Sequence, residues 1–238
     1  MLQVRDLSFS YDDGGAVLDK LSLDLADNEV VSLLGPSGCC KSTVLRIIAE
    51  LLEAKKGGIG WKSKPRLAFV FQDPALMPWA TVAENVQLPG RLKGAVNQQD
   101  VEEALQAVGL GGMQSRFPAQ LSGGQRMRAS VARALAANPK TLLMDEPFAA
   151  LDEMLRFEMN ELMLKLRSER GLCILFVTHS LYEAAYLSDR VLVMEQGKIR
   201  GAVEPKLDRS LSAQEQRASA SFTKAVASIG ALMARTEQ

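Results

Sequence analysis

A short, mostly apolar run, Val30-Val31-Ser32-Leu33-Leu34, passes directly into Gly35-Pro36-Ser37-Gly38-Cys39-Cys40-Lys41-Ser42-Thr43 and then into a helical stretch from Ser42 to about Leu52. The run suits a central strand covered on both faces. A strand that ends in a loop of small residues before a helix makes an anion cradle. Backbone N–H groups wrap the anion, the helix N-terminus adds positive dipole, and Lys41 would reach the β- and γ-phosphates of a nucleotide. The Ser42 hydroxyl would then coordinate Mg²⁺. An ordinary turn rich in small residues is the alternative, and Lys-Ser at this spacing counts against it. The loop departs from the phosphate-binding pattern at one place: the residue before the lysine should be Gly, and Cys40 stands there.

The rest of the chain reads as alternating strands and helices. Leu21, Leu23 and Leu25 alternate with polar residues before a turn at Asp27-Asn28, as a half-buried strand requires. Thr141–Met144 and Cys173–Val177 are further buried strands. Between them Leu155, Met159, Leu162, Met163 and Leu166 recur at helical spacing, with Gly171 as a stop signal. Strand, helix, strand in that order predicts a parallel crossover. From about 73 to 139 the texture turns helical. Thr81/Glu84 and Ser122/Gln125 have capping-box form, and Val101, Ala104, Leu105 and Val108 share a face before Gly109. Near the end, Phe222, Val226, Ile229 and Met233 predict one docked helix after Ser212. Composition narrows the class. With 238 residues, 28 Lys+Arg against 28 Asp+Glu, 47% hydrophobic and 24% charged residues, the chain can bury a core. Zero net charge argues against a nucleic-acid binder. No run reaches membrane-spanning length, and the start lacks the layout of a signal peptide. Three cysteines, two of them adjacent, fit a reducing compartment.

Three further signals point to one sheet edge, and a fourth to a second phosphate contact. Leu142-Leu143-Met144-Asp145-Glu146 ends a buried strand in two carboxylates, at the edge where parallel sheets bind ligands. Asp145 would hold the Mg²⁺ shell and Glu146 could polarise an attacking water. Leu121-Ser122-Gly123-Gly124-Gln125 could be a plain helix start. Two successive glycines weaken a first turn, however, and suggest close approach to another phosphate. His179, the single histidine, follows a strand, and Gln72 follows the apolar run Leu67–Phe71.

These residues together resemble the nucleotide-binding subunit of ATP-binding cassette (ABC) transporters, over essentially the whole chain to about Gly201. The resemblance identifies the loop at 35–43 as the P-loop, with Gln72 in a Q-loop, 121–125 as the signature and Ala150-Leu151-Asp152 as a D-loop. His179 becomes the switch histidine, and Tyr11 stands where the family stacks a ring on adenine, or is a plain strand residue. The implied fold is α/β: a P-loop NTPase core with a mostly parallel sheet, an N-terminal antiparallel β subdomain and an inserted helical subdomain. The implied domains are 1–205, with about 73–139 inserted, and a helical tail at 206–238. The resemblance implies a head-to-tail homodimer trapping two ATP, each between one P-loop and the partner's signature. It also implies Glu146 as general base, His179 at the γ-phosphate and Gln72 as a sensor of γ-phosphate and Mg²⁺. Asp73–Trp79, with exposed Met77 and Trp79, would receive a helix from a membrane permease. Three segments, QDPALMPWATVAENV, PFAALDEMLRFEMNELM and THSLYEAAYLSDR, resemble importers of the nitrate, sulfonate and taurine type. An importer implies a separate substrate-binding protein outside the cell and a place for this chain on the cytoplasmic face of the membrane. A soluble ABC ATPase without a permease and a nucleotide-gated subunit with little hydrolysis are the competing readings. Cys40 is expected to weaken nucleotide binding or hydrolysis, because a loop packed around an anion has little free volume, although a side chain that points outward would cost little.

Overall fold

The computed structural model describes residues 2–11, 17–36, 38–63, 66–93 and 97–234. The chain forms two compact units, Met1–Pro65 with Cys173–Gln238, and Arg66–Leu172. The first unit opens with β1 (Leu2–Phe9), β2 (Leu18–Leu25), β3 (Val30–Leu34), α1 (Lys41–Ile48) and β4 (Lys56–Trp61). β2, β1 and β4 make a three-stranded antiparallel sheet in that order. Leu21, Leu23 and Leu25 are buried in it, as their alternation predicts, and Asn28 turns the chain with φ 59°. All five residues of β3 are buried. Helix α1 ends at Ile48, earlier than composition suggests. Glu50 adopts φ 58°, and the N–H groups of Leu51 and Leu52 both donate to the Arg46 carbonyl (2.8 and 3.3 Å), closing the helix.

The second unit contains β5 (Leu67–Val70), α2 (Val82–Lys93), α3 (Gln98–Ala107), a 3-10 turn (Pro118–Gln120), α4 (Gly123–Ala136), β6 (Thr141–Asp145) and α5 (Glu153–Arg170). β5 and β6 pair in parallel, from Leu67 against Thr141 to Val70 against Met144. The predicted caps form. The Thr81 N–H donates to Glu84 (2.8 Å) while the Glu84 N–H donates to the Thr81 hydroxyl (3.3 Å), and Ser122 and Gln125 cap each other reciprocally. Val101, Ala104, Leu105 and Val108 are buried where α3 meets α2 and α4. Asp152 caps α5 by accepting the Leu155 N–H (2.9 Å), and Gly171, at φ 60°, ends it.

The chain then returns to the first unit as β7 (Cys173–Thr178), α6 (Leu181–Leu187), β8 (Arg190–Glu195), β9 (Lys198–Val203), α7 (Ala213–Ala218) and α8 (Ala220–Ala234). Here the order is β7-β3-β8-β9, with β3 parallel to both neighbours and β9 an antiparallel edge strand. Parallel pairs, the antiparallel N-terminal sheet and the packed α2–α4 helices are the α/β elements expected. The tail corrects the single predicted helix, because it is two. Ser219 is extended (ψ 150°), its hydroxyl donates to the Gln216 carbonyl (2.6 Å) and it accepts the Phe222 N–H (3.1 Å). It thereby stops α7 and starts α8. Phe222, Ala225 and Ile229 are buried, and α8 packs on α6, β8 and β9. Among the described residues no helix is long and apolar enough to cross a membrane. Ile229 is fully buried, so Ile229→Ala should lower unfolding stability by about 2–5 kcal/mol, read as a shift in the urea midpoint.

Candidate functional site

In the first unit β3 leads straight into the loop that the sequence singles out. Gly35 is buried, and a Cβ there would collide with the Met194 carbonyl and the Cys39 sulfur, so only glycine fits. Pro36 and Gly38 are exposed, Cys39 and Thr43 buried, Ser42 half-buried; Ser37 lies outside the described residues. The Lys41 side chain is 4% exposed. Its ammonium donates to the carbonyls of Gly35 and Pro36, both at 2.9 Å, and lies 3.7 Å from the Cys39 sulfur. The lysine charge is thus folded onto the loop at the N-terminus of α1, where the helix dipole favours an anion.

Cys40 is the residue before this lysine, and it sits at φ 71°, ψ 23°. That left-handed conformation suits glycine and strains a residue with a Cβ by about 1–2 kcal/mol. It explains in physical terms why the pattern asks for Gly. The Cys40 thiol donates to the Gly38 carbonyl (3.3 Å), on the exposed side of the loop. Burial pushes the Cys40 thiol above its ordinary pKa, with Cys39 adding to the rise and Lys41 opposing it. Burial raises Cys39 in the same way, against Lys41. Both stay protonated at neutral pH and act as packing groups.

Register brings His179 to the same edge. Leu34 of β3 pairs with Thr178 of β7, so Gly35 and His179 leave neighbouring strands side by side. Tyr11, just past β1, is 47% exposed and meets the Phe9 ring edge-on at 4.9 Å between centroids.

In the second unit the pairing of Val70 with Met144 does the same for Gln72 and the two carboxylates. Gln72 is exposed beyond the end of β5, Asp145 closes β6 and is buried, and Glu146 follows it at φ 44°. Like Cys40, Glu146 is a non-glycine residue in the left-handed region, which carries a backbone cost at a strand end that bears two acids. The signature residues Ser122, Gly123, Gly124 and Gln125 form the N-terminus of α4. Their two glycines separate in meaning. A Cβ on Gly124 would press on the Leu155 side chain, which is an internal reason for glycine. A Cβ on Gly123 would meet nothing within 4 Å, so the chain's own packing does not call for glycine there.

The segment after Gln72 is built by residues that sequence reasoning overlooked. The Arg133 guanidinium on α4 donates to the carbonyls of Pro74 and Ala75, both at 2.7 Å. Fully buried Asn85 on α2 accepts the Met77 N–H (2.7 Å) and donates to the carbonyls of Met77, Ala80 and Thr81. No local pattern signals either residue, because their partners are backbone groups far along the chain or around a loop. Met77 is half-buried, which corrects the expectation that it is exposed. Trp79 is 77% exposed.

A buried strand, a glycine-containing cradle, a lysine folded onto it and a helix, together with a strand ending in two carboxylates, define a P-loop nucleotide-binding protein. Comparison with known proteins narrows the class. The family described as ABC transporter matches residues 18–149. The aliphatic sulfonates import ATP-binding protein SsuB 1 of Pseudomonas savastanoi pv. phaseolicola is 42% identical over 204 residues, covering 86% of this chain and 84% of its own length. SsuB 1 of Streptomyces avermitilis is 46% identical over 210 residues, covering 87% and 78%. Among solved structures, cbiO1 of Clostridium perfringens, part of the cbiONQ ABC transporter complex, superposes with TM-score 0.79 at 29% identity, covering 86% of this chain and 88% of its own. The cassette MJ0796, in a dimeric post-hydrolysis state bound to ADP and Pi, gives 0.77 at 30% identity, covering 86% and 98%. The chain belongs to the ABC transporter family.

The backbone at Cys40 gives a direct stability test. Glycine relieves the left-handed strain and alanine keeps it, so Cys40→Gly should exceed Cys40→Ala in unfolding free energy by about 1 kcal/mol. Equal urea midpoints for the two variants would show that Cys40 is unstrained.

Proposed function

We propose that the chain is the ATP-binding and ATP-hydrolysing motor of an importer of the nitrate, sulfonate and taurine group, working on the cytoplasmic face of the membrane beneath a separate permease. The observation that carries the reading is the Lys41 ammonium held on the Gly35 and Pro36 carbonyls, at the edge where β3 and β7 deliver the P-loop and His179 together. Membership of the ABC transporter family and likeness to importer ATP-binding proteins support it.

The loop residues 35–43 hold the nucleotide phosphates with backbone N–H groups, and Lys41 neutralises charge on the β- and γ-phosphates. Tyr11, exposed beyond β1, stacks on the base. Among the described residues no group of three or more His, Cys, Asp or Glu could hold a metal alone. Ser42 in the first unit, and Gln72 and Asp145 in the second, carry the kind of oxygen that Mg²⁺ takes beside phosphate and water, and they are the residues that would hold it. Mg²⁺, when bound, offsets the negative charge that develops on the phosphates. Glu146 takes the proton from the attacking water, and His179 contacts the γ-phosphate and fixes its geometry.

Two copies meet head to tail, each signature at 122–125 closing over the partner's nucleotide. Gly123, which this chain's own packing leaves open, is the residue that a phosphate approaches. Trp79 projects from the segment fixed by Arg133 and Asn85 and is the anchor for a permease helix. An extracytoplasmic substrate-binding protein delivers the solute to that permease.

Glu146→Gln keeps the size and hydrogen-bonding oxygen of the side chain but removes the base. Turnover should fall by about 10²–10⁴-fold, while ATP now holds the variant as a dimer on gel filtration. Lys41→Ala should lose both ATP binding and dimer. A Glu146→Gln variant that hydrolyses ATP like its parent would overturn the assignment.

A further inference from the structure

His179 sits between two strongly fixed residues, and the fixing involves a buried acid that the proposed chemistry does not use. Ser180 is the N-cap of α6 and accepts the Glu183 N–H on its hydroxyl (3.3 Å). In an ordinary capping box the Glu side chain at this position returns to the N-cap backbone N–H. Here the return is relayed. The Ser180 N–H donates to the Thr178 hydroxyl (3.0 Å), and that hydroxyl donates its own proton to Glu183 Oε2 at 2.5 Å. Thr178 is buried and Glu183 is 5% exposed, so both bonds form away from bulk water, where a hydrogen bond to a carboxylate is strong.

The consequence falls on the residue in between. A bond from the side chain of Thr178 to the N–H two residues on pins the backbone across His179. The Ser180 N–H can only donate, and Glu183 fixes the hydroxyl that receives it by accepting the Thr178 proton. One end of the device is anchored by pairing of Thr178 with Leu34, the residue before the P-loop. The other end is anchored by α6. Its Tyr186 is buried, with the guanidinium groups of Arg209 and Arg217 at 5.7 and 4.7 Å from the ring centroid and Phe222 of α8 at 6.3 Å between rings.

We propose that Thr178 and Glu183 are positioning residues for hydrolysis: their relayed cap presets the backbone of His179 beside the P-loop, so that the imidazole needs little reorganisation to meet the γ-phosphate. The proposal rests on the reading of His179 as the group that contacts that phosphate. Neither residue touches nucleotide. Their effect is to hold another side chain within the tolerance that phosphoryl transfer demands, where a misplacement of 1 Å is worth about a hundredfold.

The chain has one histidine, so its imidazole gives a single set of ring signals in the full-length protein labelled with ¹³C-histidine. Thr178→Val keeps the shape and removes both bonds. Thr178→Ser keeps the hydroxyl, and Glu183→Gln keeps an oxygen that can accept the Thr178 proton. Thr178→Val should shift and broaden the imidazole signals and lower kcat by about ten- to a hundredfold, with KM for MgATP changed less than about threefold. Thr178→Ser and Glu183→Gln should stay near the parent in both. If Thr178→Val leaves signal and kcat unchanged while His179→Ala abolishes turnover, the positioning role is wrong and the role of His179 stands. If His179→Ala itself hydrolyses ATP like the parent, the reading of His179 fails and the proposal falls with it. A loss shared equally by Thr178→Val and Thr178→Ser would assign the effect to packing and also overturn it.

Discussion

Leu34 of β3 pairs with Thr178 of β7, and that parallel register governs where the first unit's chemistry stands. Each strand is buried along its whole length, so neither can slip without carrying apolar side chains out of the core. The residues just beyond the pair are therefore fixed relative to one another: the P-loop after one strand, His179 after the other. The second unit repeats the device, with Val70 against Met144 delivering Gln72 and the pair Asp145 and Glu146 to one edge. Buried parallel pairing thus sets positions, and the loops at its C-terminal edge supply the groups.

Each unit holds a non-glycine residue in the left-handed region beside its site residues, Cys40 in the first and Glu146 in the second. Strain of this kind lowers the stability of the folded chain, and it persists because the flanking strand and helix over-determine the loop. At Cys40 the left-handed conformation is already adopted by the chain itself, and the sulfur is turned onto the Gly38 carbonyl. The missing glycine thus carries a cost in folding, of about 1–2 kcal/mol for a residue with a Cβ in this conformation. This geometry supports the outward arrangement of the two that the sequence leaves open.

Much of this was legible in the residues. Continuous apolar runs such as Val30–Leu34 and Cys173–Val177 read as buried parallel strands because both faces are covered. Capping pairs such as Ser122 and Gln125 read as helix starts because the bonds are local. What escaped was decided by contacts across space or by single backbone angles. Glu50 at φ 58° ends α1 inside a stretch of helical composition, and Ser219 breaks the tail into two helices just ahead of the apolar period that begins at Phe222. Met77 escaped as well, since Asn85 draws its backbone in and leaves the side chain half-buried. In the site, the motif residues were all visible as a pattern. Arg133 and Asn85, which fix the segment after Gln72, follow no pattern that a linear reading can weigh, and the Ser180/Glu183 pair reads as a cap without showing that Thr178 relays it.

The central claim is that this P-loop holds MgATP with a cysteine in the glycine position. Isothermal titration of MgATP into the parent chain and into Cys40→Gly, each also carrying Glu146→Gln to prevent turnover, tests it directly. The account predicts saturable binding by both, with dissociation constants within about threefold of each other, a difference of well under 1.4 kcal/mol. Binding that appears only in Cys40→Gly, or that tightens there by more than about tenfold, would contradict it and would place the Cys40 side chain in the path of the phosphates.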